Sequence, residues 1–168
     1  MCPDKLFRAI SHDFLNYAQR YAEKKSGCSK VVVGCIITTF VNSEEVLIGC
    51  GSNRVYGDLC KKKGCLRREK FGEYSRNHRN PQDCRAIHSE IDAICDALRF
   101  NIPLGGCNTA YITRYPCEAC AKALVAAGID RVVYGRDQGI SDMTKEIFEL
   151  AGIQVFWQKD WTAPDVFC

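Results

Sequence analysis

Leu6, Ile10, Phe14, Tyr17 and Tyr21 recur at steps of three and four, the spacing that keeps side chains on one face of a helix. The pattern predicts a first helix that ends near Ser26-Gly27. Val31 to Thr39 is β-branched and apolar and predicts a buried strand. Asn42 to Glu45 reads as a polar turn and Val46 to Cys50 as a second strand, so the two should form a hairpin. Residues 51–85 lose periodicity and are rich in Gly, Lys, Arg and Cys. A structureless loop of that length is uncommon in a compact domain and is usually functional or cross-linked. Ile87, Ile91, Ile94 and Leu98 mark a second helix, and Thr109 to Thr113 a strand. Cys117 to Ala127 predicts a helix with Gly128 as its stop, and Arg131 to Tyr134 a strand. Thr144 to Ala151 predicts a helix closed by Gly152, and Ile153 to Trp157 the last strand. The order α-β-β-α-β-α-β-α-β predicts an α/β fold, one sheet with helices on both faces, in a single domain over residues 1–168.

The net charge of +3 is too mild to imply a nucleic-acid binder by itself. The unusual feature is twelve cysteines. The start, Met1-Cys2-Pro3-Asp4, lacks a signal-peptide core, and no apolar stretch approaches the roughly 20 residues of a membrane span. These features favour a cytoplasmic protein (host cytoplasm, if viral) with no membrane partner. In a reducing compartment, clustered cysteines point to metal or catalysis more often than to disulfides.

Two segments carry chemistry. Cys84-Arg85-Ala86-Ile87-His88-Ser89-Glu90 contains His-x-Glu, and Arg114-Tyr115-Pro116-Cys117-Glu118-Ala119-Cys120 contains Pro-Cys-x-x-Cys after a gap of about 25 residues. That conjunction is the pattern of the zinc deaminases. Cys117 and Cys120 are three apart at a helix start, so both sulfurs lie on one face, and the helix N-terminus favours their thiolate form. His88 supplies a neutral nitrogen. Three protein ligands leave the fourth tetrahedral position to water, as in catalytic zinc sites, and zinc brings the pKa of that water to about 7. Glu90, two residues from His88, is placed to take a proton from the water and pass it to the ring nitrogen and the leaving ammonia. Cys-x-x-Cys alone is more often a structural half-site or a redox pair, and His-x-Glu alone carries little. Their pairing, with Pro116 directly ahead of Cys117, decides for the deaminase.

Cys84 to Ile94 resembles the deoxycytidylate deaminase family, whose typical form is C-x-x-x-H-A-E-x-N-A-I, and Tyr111 to Ala121 resembles that family's second motif. Gly51-Ser52-Asn53 resembles its Gly-Tyr-Asn element, and Ser26 to Ile37 its first strand and approach. The resemblance covers most of residues 26–135. It implies a three-layer α/β/α cytidine-deaminase-like fold with a mixed five-stranded sheet. It implies hydrolysis of dCMP to dUMP and ammonia, feeding thymidylate synthesis. It gives the catalytic zinc to His88, Cys117 and Cys120 and the proton shuttle to Glu90. Asn53 would meet the sugar hydroxyl with Arg54 beside it, and Tyr115 would lie near the base. An ordinary turn residue at Asn53 and a packed aromatic at Tyr115 are the competing readings. The chain departs from the pattern at Ser89 (usually Ala), Asp92 (usually Asn), Ser52 (usually Tyr) and Arg54 (usually Gly). Asn-Arg at 53–54 also occurs in tRNA adenosine deaminases. The resemblance further implies a homo-oligomer, a hexamer above all, and dCTP or dTTP effectors, bound as magnesium nucleotides.

Some relatives carry a second, structural zinc, and Cys28, Cys60, Cys65 and Cys84 are the expected ligands here, with His78 competing for the fourth position. Such a site would staple the long loop. Cys35, Cys50 and Cys95 fit core positions instead. Two other functions remain open. One is a deaminase acting on a base in RNA, with the basic run Lys61 to Arg68 as its nucleic-acid surface. The other is a zinc-stabilised nucleotide-binding module without catalysis, which would have no need of Glu90.

Overall fold

The computed structural model describes residues 7–71, 84–99, 107–137 and 141–164. Helix α1 (Phe7–Lys25) leads into a hairpin of β1 (Gly34–Val41) and β2 (Glu44–Ser52). Its loop residues Asn42 and Ser43 have φ of 50° and 70°, the left-handed backbone that two-residue hairpin loops of the primed type require. After β2 come a 3₁₀ turn (Tyr56–Asp58) and two short helices, α2 (Leu59–Lys63) and α3 (Leu66–Phe71). The expected structureless loop therefore carries helix over much of its described length, and its remainder, 72–83, lies outside the described residues.

The second half alternates α4 (Ser89–Arg99), β3 (Thr109–Arg114), α5 (Glu118–Ala126), β4 (Arg131–Arg136), α6 (Asp142–Leu150) and β5 (Gln154–Trp157). The sheet order is β2-β1-β3-β4-β5. β1 is antiparallel to β2 and β3, whereas β3, β4 and β5 run parallel, so the sheet is mixed and five-stranded as expected.

Period-two alternation divides each central strand between two cores. Cys35, Ile37, Ala110, Ile112 and Val132 face Ala93 of α4, Ala121 and Leu124 of α5 and Phe148 of α6. Ile36, Tyr111 and Val133 face Leu15 and Ala18 of α1. The result is three layers with the sheet in the middle.

Helix α4 forms where expected, but its small residues are buried more deeply than the Ile and Leu that mark it in the sequence. Its buried residues are Ser89, Glu90, Asp92, Ala93 and Ala97, while Leu98 is exposed and Ile91 and Ile94 are half-buried. The cause lies in β2. A Cβ on Gly51 would stand 2.0 Å from the Ser89 carbonyl oxygen, and one on Gly49 would stand 2.5 Å from that of Ala93. The helix lies so close to the strand that only small residues fit between them; Ile94 packs at the margin of the core and Leu98 is exposed. Cys95 is exposed, against its expected place in the core, whereas Cys35 and Cys50 are buried. Cys107, which carries no signal in the sequence, is disulfide-bonded. No helix among the described residues is long and apolar enough to cross a membrane.

Candidate active site

The N-termini of α4 and α5 converge. His88 directly precedes α4, and its carbonyl accepts that helix's early bond from Asp92 N–H at 3.0 Å. The approach to His88 is tied down where Ile87 N–H donates to the Arg54 carbonyl at 2.9 Å. On the other side, Tyr115 N–H donates to the Arg136 carbonyl at 3.0 Å, which fixes the exit from β3 to the neighbouring strand. Pro116 follows, and Cys117 occupies the N-cap of α5 with an extended backbone (φ −80°, ψ 169°). Cys120 then falls within the first turn of that helix.

This brings three donor atoms together. His88 Nδ1 lies 3.4 Å from Cys117 Sγ and 3.3 Å from Cys120 Sγ. The three ligand atoms all lie within 4.8 Å of one another, the one such group of His, Cys, Asp or Glu among the described residues. Zinc bonds of about 2.3 Å to sulfur and about 2.0–2.1 Å to nitrogen set N and S roughly 3.5 Å apart in a tetrahedral site. The donor set and its spacing fit zinc with one coordination position left over.

Without a metal, the three donors share protons among themselves. Hydrogen bonds from the Cys120 thiol and from His88 overcome burial and draw Cys117 down to about 3. His88 is pushed up to about 10, chiefly by Cys117 and then by Cys84. Cys120, which keeps its proton toward Cys117, is raised. The helix end contributes as expected, through the Cys120 backbone N–H, although the Cys120 and His88 side chains weigh more.

Glu90 is 5% exposed and lies outside the donor group, consistent with a carboxylate that moves protons rather than holding metal. Burial raises it above the ordinary carboxylate value, with the charge of His88 opposing. Its Oε2 accepts a hydrogen bond from Ser89 Oγ at 3.0 Å.

A cleft of about 170 Å³ opens at this centre, bounded by His88, Glu90, Cys117, Tyr115, Asn53 and the 28–33 segment. Sites that enclose a drug-sized ligand run to roughly 300–1,000 Å³, so a larger ligand would leave part of itself at the mouth. Lys30, Arg67 and Arg114 also line the cleft, and Glu90 is the one carboxylate among its lining residues. Arg67 belongs to the basic run Lys61 to Arg68, whereas Lys30 and Arg114 carried no such signal, because the three sit in separate segments.

The expected substrate residues fare differently. Tyr115 lines the cleft, held edge-on to Tyr134 at 4.8 Å. Asn53 lines it too, but its side chain is already engaged: Oδ1 accepts from Ser26 Oγ at 2.6 Å and Val33 N–H at 3.0 Å, and Nδ2 donates to the Val31 carbonyl at 2.6 Å. It staples the 26–33 segment that forms the cleft wall. Arg54 is absent from the lining and instead pairs with Asp92 at 3.0 Å.

The expected second-zinc residues gather loosely. Cys28, Cys65 and Cys84 line the cleft, and burial followed by the nearness of Cys28 and Cys65 raises the Cys60 thiol. A hydrogen bond from His88 lowers Cys84. These four do not form a donor group of the tightness seen at His88, Cys117 and Cys120. His78 lies outside the described residues.

Residues 9–136 match the cytidine and deoxycytidylate deaminase zinc-binding region, which spans the donor triad and Glu90. The chain belongs to the cytidine and deoxycytidylate deaminase family. It is 30% identical over 132 residues to ComE operon protein 2 of Bacillus subtilis (strain 168), covering 78% of this chain and 62% of that one. It is 29% identical over 121 residues to the deoxycytidylate deaminase of Mycobacterium phage D29, covering 69% of this chain and 87% of that one. The fold matches the dCMP deaminase of cyanophage S-TIM5, in a structure complexed with dCMP and dUMP, at a TM-score of 0.61 and 19% identity, over 89% of this chain and 96% of that one. As a family member the chain is a hydrolytic deaminase with a zinc-binding centre.

Proposed function

We propose that this deaminase converts dCMP and water to dUMP and ammonia, supplying dUMP for thymidylate synthesis. The observation that carries the reading is Glu90, buried beside the His88–Cys117–Cys120 group but outside it. When bound there, zinc supplies a Lewis acid that makes water nucleophilic at neutral pH. Glu90 takes the proton from the water that adds to C4 of the base, then delivers protons to the ring nitrogen and the departing amine. Tyr115 forms a wall for the base. Asn53 keeps one amide proton beyond those its structural partners use, available to a sugar hydroxyl.

The cationic lining favours a phosphate-bearing ligand, since Lys30, Arg67 and Arg114 meet one buried carboxylate there. The phage D29 relative is named for dCMP deamination, and the S-TIM5 neighbour holds dCMP and dUMP. We carry that substrate to this chain on those grounds. A homo-oligomer, a hexamer by family resemblance, and control by dCTP and dTTP belong to the same proposal. So does a second zinc at Cys28, Cys60, Cys65 and Cys84, supported by the grouping of these thiols around the cleft.

The test is an ammonia-release screen across dCMP, dCTP, cytidine, adenosine and a tRNA anticodon stem. The proposal expects dCMP to be turned over fastest. Inosine formation in the tRNA stem with dCMP inert would place the chain with the RNA deaminases. Elemental analysis of the same preparation separates one zinc per chain from two.

A further inference from the structure

Ser89 opens α4 and is 1% exposed. It stands between His88, a ligand of the metal centre, and Glu90, the proton carrier. The family pattern has Ala here, so neither zinc binding nor the helix demands an oxygen at this position. A serine in a helix commonly spends its hydroxyl on nearby backbone or on water. Here the hydroxyl donates instead to Glu90 Oε2 at 3.0 Å, inside the cleft both residues line.

We propose that Ser89 is a positioning residue that fixes the Glu90 carboxylate for proton transfer. The terminal torsion of a glutamate is broad, so a carboxylate held only through its chain can turn. The Glu90 backbone N–H also reaches the carboxylate, and the bond from Ser89 to Oε2 adds a side-chain restraint that opposes its rotation.

The metal makes this bond matter more. Cys120 also reaches the Glu90 side chain. A cysteine that binds zinc does so as thiolate and has no proton left to donate. With metal in place, Ser89 is the side-chain donor that remains to Glu90 in the hydrogen bonds of the described residues. Proton transfer depends steeply on alignment, so the hydroxyl acts on turnover and not on substrate affinity.

The inference rests on Glu90 as the proton carrier of a dCMP deaminase, and its test keeps the two apart. Ser89→Ala removes the donor, Ser89→Cys keeps the size with a weak donor, and Ser89→Thr keeps the hydroxyl. Each is measured for zinc content, melting temperature, kcat and KM with dCMP. Ser89→Ala and Ser89→Cys should lose about tenfold in kcat with KM within about twofold and zinc unchanged, the low end of what outer-shell partners contribute. Ser89→Thr should recover most of kcat. An unchanged kcat in Ser89→Ala, or a loss that follows falling zinc content, overturns the positioning role. Wild-type protein inert toward dCMP would instead count against the substrate. In that event a crystal structure of zinc-loaded Ser89→Ala decides: a carboxylate turned from its wild-type orientation supports the role, and an unmoved one overturns it.

Discussion

The Arg54 guanidinium meets the Asp92 carboxylate at 3.0 Å, with the Arg54 side chain 30% exposed and that of Asp92 5% exposed. Both residues depart from the family pattern, which has Gly and Asn in their places, and the fold sets the two departures against each other. The same Asp92 oxygen accepts the Ser52 N–H at 3.1 Å, so one carboxylate ties the end of β2 to the first turn of α4. Neither residue lines the cleft, and the pair braces the helix that begins directly after His88.

Asp92→Ala should therefore be destabilising. Breaking a fully buried pair costs about 3–5 kcal/mol, and the exposure of Arg54 reduces this to roughly 2 kcal/mol, within reach of water's screening. For a chain of this size that is about 4–8 °C in Tm. Asp92→Asn with Arg54→Gly, the family combination, should restore most of the loss. Thermal melts of Asp92→Asn, Arg54→Gly and their combination, beside Asp92→Ala, check this, and additive effects of Asp92→Asn and Arg54→Gly would contradict a coupled pair.

Gly51→Ala tests the closeness of α4 to β2. The new Cβ would meet the Ser89 carbonyl at 2.0 Å, a backbone atom that cannot swing aside. The helix must shift, at a cost of about 3 kcal/mol, the upper end for overpacking. Because His88 and Glu90 travel with that helix, zinc content should fall along with Tm. A variant with wild-type melting and full zinc would mean that the contact is looser than described.

The pH dependence follows from Glu90. Burial, its largest influence, raises it above 4.5. Glu90 must start as a carboxylate to accept a proton, so acid removes the active form, and a raised value moves that loss to higher pH. The acid limb of kcat/KM should therefore fall with its midpoint above 4.5. A rate that holds level down to pH 4 would contradict the assignment.

Much of this was legible in the sequence. The strands announced themselves by β-branched runs, and the donor triad by two motifs whose spacing has few other uses. What was hidden depends on contacts between distant segments. The stripe of Ile91, Ile94 and Leu98 marked α4 but not which of its residues lie deepest, because that is set by the glycines of β2, which a periodicity within the helix does not register. Arg54 was read through its neighbour Asn53, and its bond to Asp92, 38 positions away, had no signal within its own segment. The two departures from the family pattern at 54 and 92, taken together, were the available signal. Asn53 combined a motif with a turn, and its amide proves to hold the cleft wall in place.

The central claim is that Glu90 moves protons in a site whose metal is held by other residues. Glu90→Gln keeps the shape of the side chain but removes the base. The decisive measurement is its dCMP turnover rate at matched zinc content. The account predicts a loss of at least about 10⁴-fold, the top of the range for general acid–base groups, because Glu90 serves both water activation and ammonia departure, with zinc bound as in wild type. Turnover above about a tenth of wild type, far short of that range, would contradict it.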